Sequence, residues 1–322
     1  MPGITLSVVI PVYNEGNGIC LLVQRLTACL AGLDVPWEVI LVDDHSVDDT
    51  PDVLRRVCSE TPVVHSLRLS RNSGSHIAIL AGLEHSRGDC GLFMAADLQD
   101  PPELIPQLLA LWREGYDTVW AVRAGREGVS LPERAFSRLF YWLLTRFSES
   151  SLPPDGSDFA LVSRRVIDAL IRSAGANLNL FGEVANLGFR QAEVRYVKGA
   201  RAFGKTKWNL RKKLKLLADT FVSFSYTPLR LMSYLGIASS FLGFLYALLI
   251  VIRALLSLTP VQGWASLMVI VLVMSGLQMI MLGVLGEYLW RTLDESRRRP
   301  RYFIEDSSES LSSERADNAE RS

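Results

Sequence analysis

Apolar, β-branched runs recur along the first part of the chain at 6–12 (LSVVIPV), 37–44 (WEVILVDD), 63–70 (VVHSLRLS), 90–96 (CGLFMAA) and 118–123 (TVWAVR). Runs of this length between turn residues predict strands buried on both faces. Segments of helical period separate them: the stretch after Asn14, the stretch after Asp48, Ser75 to Ser86, and Pro102 to Glu114. Strand and helix in turn predict an α/β fold with a mainly parallel sheet covered on both faces. Asp100-Pro101-Pro102-Glu103 has the order of a helix start, with Asp100 as N-cap and Pro101 at the first position.

The pattern then changes. Met232 to Ile252 is 21 residues without a formal charge, and Gly263 to Gly286 is 24 more. About 20 apolar residues cross the hydrocarbon core of a bilayer. Two buried core helices are the alternative, disfavoured because core helices rarely lack charge over so long a stretch. The reading is a transmembrane hairpin turning near Leu258, Thr259 and Pro260. Bases flank it: Lys205, Lys207, Arg211, Lys212, Lys213, Lys215 and Arg230 before, and Arg291, Arg297, Arg298, Arg299 and Arg301 after, with only Arg253 near the turn. The positive-inside rule puts both ends, and the N-terminal part with them, in the cytoplasm; the expected location is a plasma (inner) membrane. From Trp208, WNLRKKLKLLADTFVSF interleaves bases with apolar residues, as an interfacial helix on an anionic leaflet does; a solvated basic helix is the alternative. The expected organisation is a catalytic-type domain over 1–207, amphipathic juxtamembrane helices over 208–230, two transmembrane helices over 231–290 and a disordered tail over 291–322, rich in Ser, Glu, Asp and Arg after Phe303.

Composition narrows the chemistry. The 322 residues carry 34 Lys and Arg against 34 Asp and Glu, so no global basic charge signals nucleic acid. Mean hydropathy is +0.20, an excess that sits in the two apolar spans. Cys20, Cys29, Cys58 and Cys90 form no C-x-x-C pair, which argues against a zinc site or a disulfide framework and suits a reducing compartment. The N-terminus lacks the basic start and long apolar stretch of a secretory signal.

In open α/β sheets ligands bind beyond the carboxyl ends of the strands. The residues there are Tyr13, Asn14 and Glu15; Asp43 and Asp44; Arg71 and Asn72; Asp97 and Gln99; Arg123 and Arg126. No G-x-x-x-x-G-K-[ST] follows a strand, and Gly16-Asn17-Gly18 is too short for a dinucleotide fingerprint. Acids at strand tips offer another way to hold a nucleotide. Carboxylates accept from base and ribose donors, and an acid with an amide oxygen can hold Mg²⁺ or Mn²⁺ on a diphosphate.

VVIPVYNE (8–15), LVDDHSVDDT (41–50), RNSG (71–74), ADLQDPPE (96–103), GSDFALVSRR (156–165), RAFGKTKW (201–208) and SFSYTPLR (223–230) together resemble the family 2 inverting glycosyltransferases. More narrowly they resemble the polyprenyl-phosphate group, which includes dolichyl-phosphate mannose synthases and bacterial undecaprenyl-phosphate glucosyl and aminoarabinosyl transferases. The likeness runs from Ser7 to Arg291. It implies a nucleotide-sugar-binding GT-A-like domain in which Pro11, Tyr13 and Glu15 line the base pocket, Asp43 and Asp44 meet the nucleoside, and Asn72 and Gly74 shape the loop over it. Asp97 and Gln99 match the metal-binding acid and amide, for Mg²⁺ or Mn²⁺. Asp158 matches the acid proposed as catalytic base or acceptor-positioning residue. Arg123, Arg126 and Arg134 fall near arginines that handle phosphates, the last two grouped with Asp158 in the catalytic step. Arg201 and Lys207 would contact the donor diphosphate or the acceptor phosphate. The implied reaction transfers a hexose with inversion from a nucleotide sugar, UDP-glucose first, to a polyprenyl phosphate, undecaprenyl phosphate first, for modification of cell-envelope glycans. GDP-mannose and a UDP-aminoarabinose derivative are the alternative donors. The implied partners are the nucleotide sugar, the lipid acceptor, the membrane and further copies of the chain.

Blander readings stand beside these. Pro11 also ends a strand, Asp44 could cap the turn through Ser46, and Arg134 could be a solvated helix residue. His45, His65, His76 and His85 share no ligand spacing, and Phe136, Phe140 and Tyr141 read as packing or lipid-facing residues. The family pattern D-x-D-L-Q-D-P-P-E is broken by Ala95, which stands where the first acid is usual. That break motivates a second class, a catalytically weak membrane scaffold for another transferase. A processive polysaccharide synthase is disfavoured, since no Q-x-x-R-W is found.

Overall fold

A computed structural model of the chain describes residues 5–123, 158–173, 178–197, 227–255, 264–297 and 299–308. The chain divides into two compact units, one built on a sheet that the segment from Pro300 rejoins, the other holding two long helices.

In the first unit, β1 (Leu6–Val12), β2 (Trp37–Asp43), β3 (Val64–Leu69) and β4 (Cys90–Phe93) alternate with α1 (Gly16–Leu30), α2 (Thr50–Glu60) and α3 (Ser75–Glu84). After a 3₁₀ turn at Pro102–Leu104 come α4 (Ile105–Arg113), β5 (Thr118–Arg123), β6 (Ala160–Ser163), α5 (Arg164–Ser173), α6 (Leu180–Asn186) and β7 (Gln191–Tyr196). The strand order is β7-β5-β6-β4-β1-β2-β3-β8, where β8 is Ile304–Ser307. β1 pairs in parallel with β2 and β4, β2 with β3, and β5 with β7; β6 and β8 run antiparallel to their neighbours. This is the GT-A-like α/β sheet that the sequence implies.

Strand alternation explains the two cores. Leu6, Val8, Ile10 and Val12 of β1 pack with α1, α2 and α4 on one face, while Val9 meets Ile40, Val42 and α3 on the other. Each fully buried Leu, Ile or Phe is worth about 1.5–3 kcal/mol by area removed from water. Helix α3 lies close on the sheet: a Cβ added at Gly82 would stand 2.3 Å from Val9 Cγ1 and 2.9 Å from Val42 Cγ2.

Three expectations need correction. The fourth apolar run is extended only to Phe93, not Ala96. The chain turns at Ala96–Leu98, with Leu98 left-handed (φ 59°) and its side chain packed in the core. Asp100 is not a helix cap: the 3₁₀ turn has Pro101 at its N-cap without a side-chain bond, and Asp100 is fully buried. The tail expected to be disordered from 291 is ordered over part of its length. The second long helix continues to Ser296, and residues 304–307 form β8 on the edge of β3.

The second unit holds α7 (Thr227–Leu255) and α8 (Trp264–Ser296), which contact one another; Gly236 of α7 lies against Met281 of α8. Both leave large apolar side chains exposed, among them Phe241, Phe244, Met279 and Leu289. By length and composition Val273–Trp290 qualifies as a membrane span, and none of that window is buried; α7 contributes a shorter apolar stretch, Tyr234–Tyr246. The proposed interfacial segment from Trp208 lies outside the described residues.

Candidate active site

Two clusters of polar side chains form at the carboxyl ends of the parallel strands. The first joins β1, β2 and β3. Asp43 ends β2 and is 1% exposed; its Oδ1 accepts from the Ser46 N–H at 2.8 Å and its Oδ2 from Arg68 Nη1 at 2.5 Å. Arg68 also reaches the Ser46 carbonyl at 3.2 Å. Asp44, also buried, turns to the loop after β3, where its two oxygens accept from Ser73 N at 2.7 Å and Gly74 N at 2.8 Å. So the turn after β2 is capped by Asp43 rather than Asp44, and Asp44 holds the RNSG loop. Gly74 has φ +91°, a conformation that side chains resist. Burial raises the pKa of Asp44 against the opposing pull of these two backbone donors.

Asn14 is cross-linked into the same cluster. Its N–H donates to Ser46 Oγ at 2.9 Å and its Oδ1 accepts from Val47 N at 3.0 Å. Glu15 N donates to Thr50 Oγ1 at 3.1 Å. Pro11 pairs in register with Val42, and Tyr13 is 36% exposed at the strand end. Asn72 is exposed in the loop that Asp44 holds. Among the described residues, three that are not glycine adopt left-handed backbone, Asn14 (φ 54°), His45 (φ 60°) and Leu98 (φ 59°), each in the loop after a central strand. Conformations of this kind cost on the order of 1–3 kcal/mol each and concentrate where a site must be shaped.

The second cluster joins β4, β5, β6 and β7. Arg123 and Tyr196 are register partners at the ends of β5 and β7. Arg123 Nη2 donates to Asp158 Oδ1, just before β6, and the guanidinium stands beside the Tyr196 hydroxyl. Tyr196 donates its hydroxyl to Asp100 Oδ1 at 2.5 Å. Two bonded pairs, Asp158–Arg123 and Tyr196–Asp100, thus stand side by side at the ends of β5 and β7, next to the DLQD turn. Burial first, then the Asp100 carboxylate, raise the Tyr196 pKa far above its ordinary value, so the phenol keeps its proton. Burial lowers the pKa of Arg123, but Asp158 more than offsets this and the net shift is upward.

Asp97 and Gln99 flank Leu98 in the same turn, both half-buried, with the Gln99 N–H donating to Asp97 Oδ1 at 3.2 Å. They share the turn that follows β4. One carboxylate and one amide oxygen are hard donors suited to Mg²⁺ or Mn²⁺. Among the described residues no group of three His, Cys, Asp or Glu could hold a metal ion. One carboxylate and one amide fit a cation that takes its further oxygen ligands from substrate phosphates and water, as Mg²⁺ commonly does.

Arg126, Arg134, Arg201 and Lys207 lie outside the described residues. Sequence reasoning missed Arg68, Tyr196 and the role of Asp100. A charge between Leu67 and Leu69 in an apolar strand was the available signal for Arg68. Of the histidines, His76 is half-buried in the first turn of α3: its Nδ1 accepts from Leu180 N at 3.0 Å and its ring meets Phe181 edge-on at 4.7 Å. Burial lowers its pKa to about 4.

The profile of Glycosyl transferase family 2 matches residues 7–171, which hold β1 to β6 and both strand-end clusters but for Tyr196. A Bacillus subtilis (strain 168) protein named uncharacterized glycosyltransferase YkcC is 40% identical, the match covering 94% of each chain. The prophage bactoprenol glucosyl transferase homolog of Escherichia coli (strain K12) is 33% identical over 93% of this chain and 98% of its own length. The bactoprenol glucosyl transferase of Shigella phage SfV is 34% identical over 93% and 97%. Among solved structures, a mannosyltransferase from Pyrobaculum calidifontis in complex with GDP-Man and Mn²⁺ superposes with a TM-score of 0.47 at 18% identity, covering 88% of this chain and 87% of that one, a likeness too loose to bear on function. Family profile and near-full-length relatives agree with the strand-end chemistry, and the chain belongs to glycosyl transferase family 2: it is a glycosyltransferase.

Proposed function

We propose that the enzyme transfers a hexose, glucose from UDP-glucose in the first instance, to a bactoprenol-type polyprenyl phosphate, with inversion at the anomeric carbon. The observation that carries this reading is the likeness to proteins named bactoprenol glucosyl transferase over 299 residues, which must include the two apolar helices as well as the sheet. A lipid acceptor gives those helices a purpose. They cross the membrane as a hairpin with both ends cytoplasmic, as the flanking bases favour.

The first cluster receives the nucleoside: Pro11, Tyr13 and Glu15 beside the base, Asp43 and Asp44 toward base and ribose, Asn72 and Gly74 over it. Asp97 and Gln99 hold the cation, which when bound neutralises charge on the departing diphosphate. Asp158, fixed by Arg123, orients the acceptor. A phosphate monoester is already anionic near neutral pH, so positioning and charge neutralisation carry most of the rate without a strong base. Arg126, Arg134, Arg201 and Lys207 complete the anion-binding set.

The test is transfer of labelled sugar from a panel of UDP- and GDP-sugars into an organic-extractable, mild-acid-labile lipid. Label from UDP-glucose is expected; label only from another donor corrects the sugar, and none from any donor overturns the reading. Ala95 predicts a further property. With Ala95 in place of the pattern's first acid, metal affinity is weak, and Ala95→Asp tightens the Mn²⁺ half-saturation by about ten-fold, the scale of an added or lost supporting carboxylate. Unchanged half-saturation and turnover would mark Ala95 as neutral.

A further inference from the structure

The C-terminal segment does more than close the sheet edge. Strand β8 pairs antiparallel with β3, and backbone bonds extend the seam on both sides, Ser70 N to the Phe303 carbonyl at 2.9 Å and Ser308 N to the Ser66 carbonyl at 3.0 Å. The pairing places Glu305 over Arg68. Glu305 Oε2 accepts from Arg68 Nε at 2.9 Å and lies 3.3 Å from His45 Nδ1, whose backbone is left-handed. Arg68 uses a different face of the same guanidinium to hold Asp43 and the Ser46 carbonyl. Glu305 thereby joins β3, the turn after β2 and the buried Asp43.

We propose that Glu305, acting through Arg68, is a positioning residue for nucleotide donor binding, and that the segment after the second long helix forms part of the donor pocket's supporting wall. This rests on the reading that Asp43 meets the nucleoside. The guanidinium is planar and presents its donors in a fixed fork, so carboxylates on two sides fix its orientation. Removing Glu305 frees Arg68 to rotate about Asp43, and with it the turn that carries Ser46 and, through Ser46 Oγ, Asn14. Bonding from Arg68 lowers the pKa of Glu305, in keeping with a charged pair.

The sheet order predicts which kinetic constant responds. β1, β4 and β6 lie between the β2–β3 side, where Glu305 acts, and the β5–β7 pair that holds Asp158 through Arg123. Loosening the first side weakens donor binding while leaving the chemical step intact.

The experiment uses the full-length enzyme, Glu305→Lys, Arg68→Gln, a chain ending at Arg299, and Ser307→Ala, opposite Leu67, as a control on the same strand. Calorimetry with UDP and Mn²⁺ gives the nucleotide Kd, and labelled-lipid formation gives KM and kcat. Expected is about a five-fold rise in Kd and donor KM for Glu305→Lys, Arg68→Gln and the shortened chain, with kcat within about two-fold, a coupling of the usual size between neighbouring networks. Ser307→Ala matches wild type, and a peptide of residues 300–308 added to the shortened chain lowers its Kd again. An unchanged Kd in Glu305→Lys, or a fall in kcat with Kd and KM intact, overturns the proposal and reduces β8 to an edge cover. Wild-type enzyme that binds neither UDP nor GDP overturns the donor-site reading, and this proposal falls with it.

Discussion

Tyr196 is the residue that binds the second cluster together, and its substitution separates packing from hydrogen bonding. Tyr196→Phe keeps the ring against Phe159, 6.2 Å between centroids, but removes the donor to Asp100 and the hydroxyl beside Arg123. A buried carboxylate losing a donor costs about 1–3 kcal/mol, so denaturant melts should show that loss. With Arg123 less constrained, turnover should fall while the nucleotide Kd stays at its wild-type value. His76 gives the pH dependence. Its pKa is lowered to about 4 from an ordinary 6.5, so the unfolded chain binds the proton more readily than the folded one. Its neutral form is fully accommodated above pH 6.5; stability falls as pH drops from there toward 4, by at most on the order of 3 kcal/mol. Melts across that range should show the slope in wild type and a shallower one in His76→Gln. At this scale the sequence made Asp97, Gln99 and Asp158 legible because they stand in local motifs. Arg68 and Tyr196 were not, since their partners lie 237 and 96 residues away and only the sheet register brings them together.

The elements were legible where pattern and propensity agreed, as in β1, β2 and the helices between them. The end of β4 was not, because Met94, Ala95 and Ala96 continue the apolar run while the backbone turns to seat Leu98 in the core. β8 was hidden for a different reason. IEDS is short and charged, as edge strands often are to avoid adding further strands, and such a segment reads as a solvated tail. The close seating of α3 on β1 and β2 makes an element-scale prediction. Gly82→Val inserts side-chain atoms where even a Cβ would meet Val9 and Val42 too closely. Overpacking of that kind costs typically about 1–3 kcal/mol and occasionally more. A thermal melt of Gly82→Val should shift downward, whereas an equal melt would mean that α3 is free to move off the sheet.

At the scale of the whole molecule, one family 2 glycosyltransferase chain carries a sheet unit and a unit of two long apolar helices. The long apolar spans were legible because charge-free runs of that length have few other uses. The donor and acceptor were not, because discrimination among sugars rests on a few loop side chains, and four of the expected anion-binding residues lie outside the described residues. The central claim is that lipid-linked sugar transfer occurs at the DLQD turn and its Asp158 network. The direct measurement is formation of mild-acid-labile labelled polyprenyl-phosphate glucose from UDP-glucose by wild type, Asp97→Asn and Asp158→Asn at matched expression. The account predicts product from wild type and losses of about 10²-fold or more in both variants. Wild-type levels of product from either variant, or a cellular role that survives Asp97→Asn untouched as a scaffold's would, contradict it.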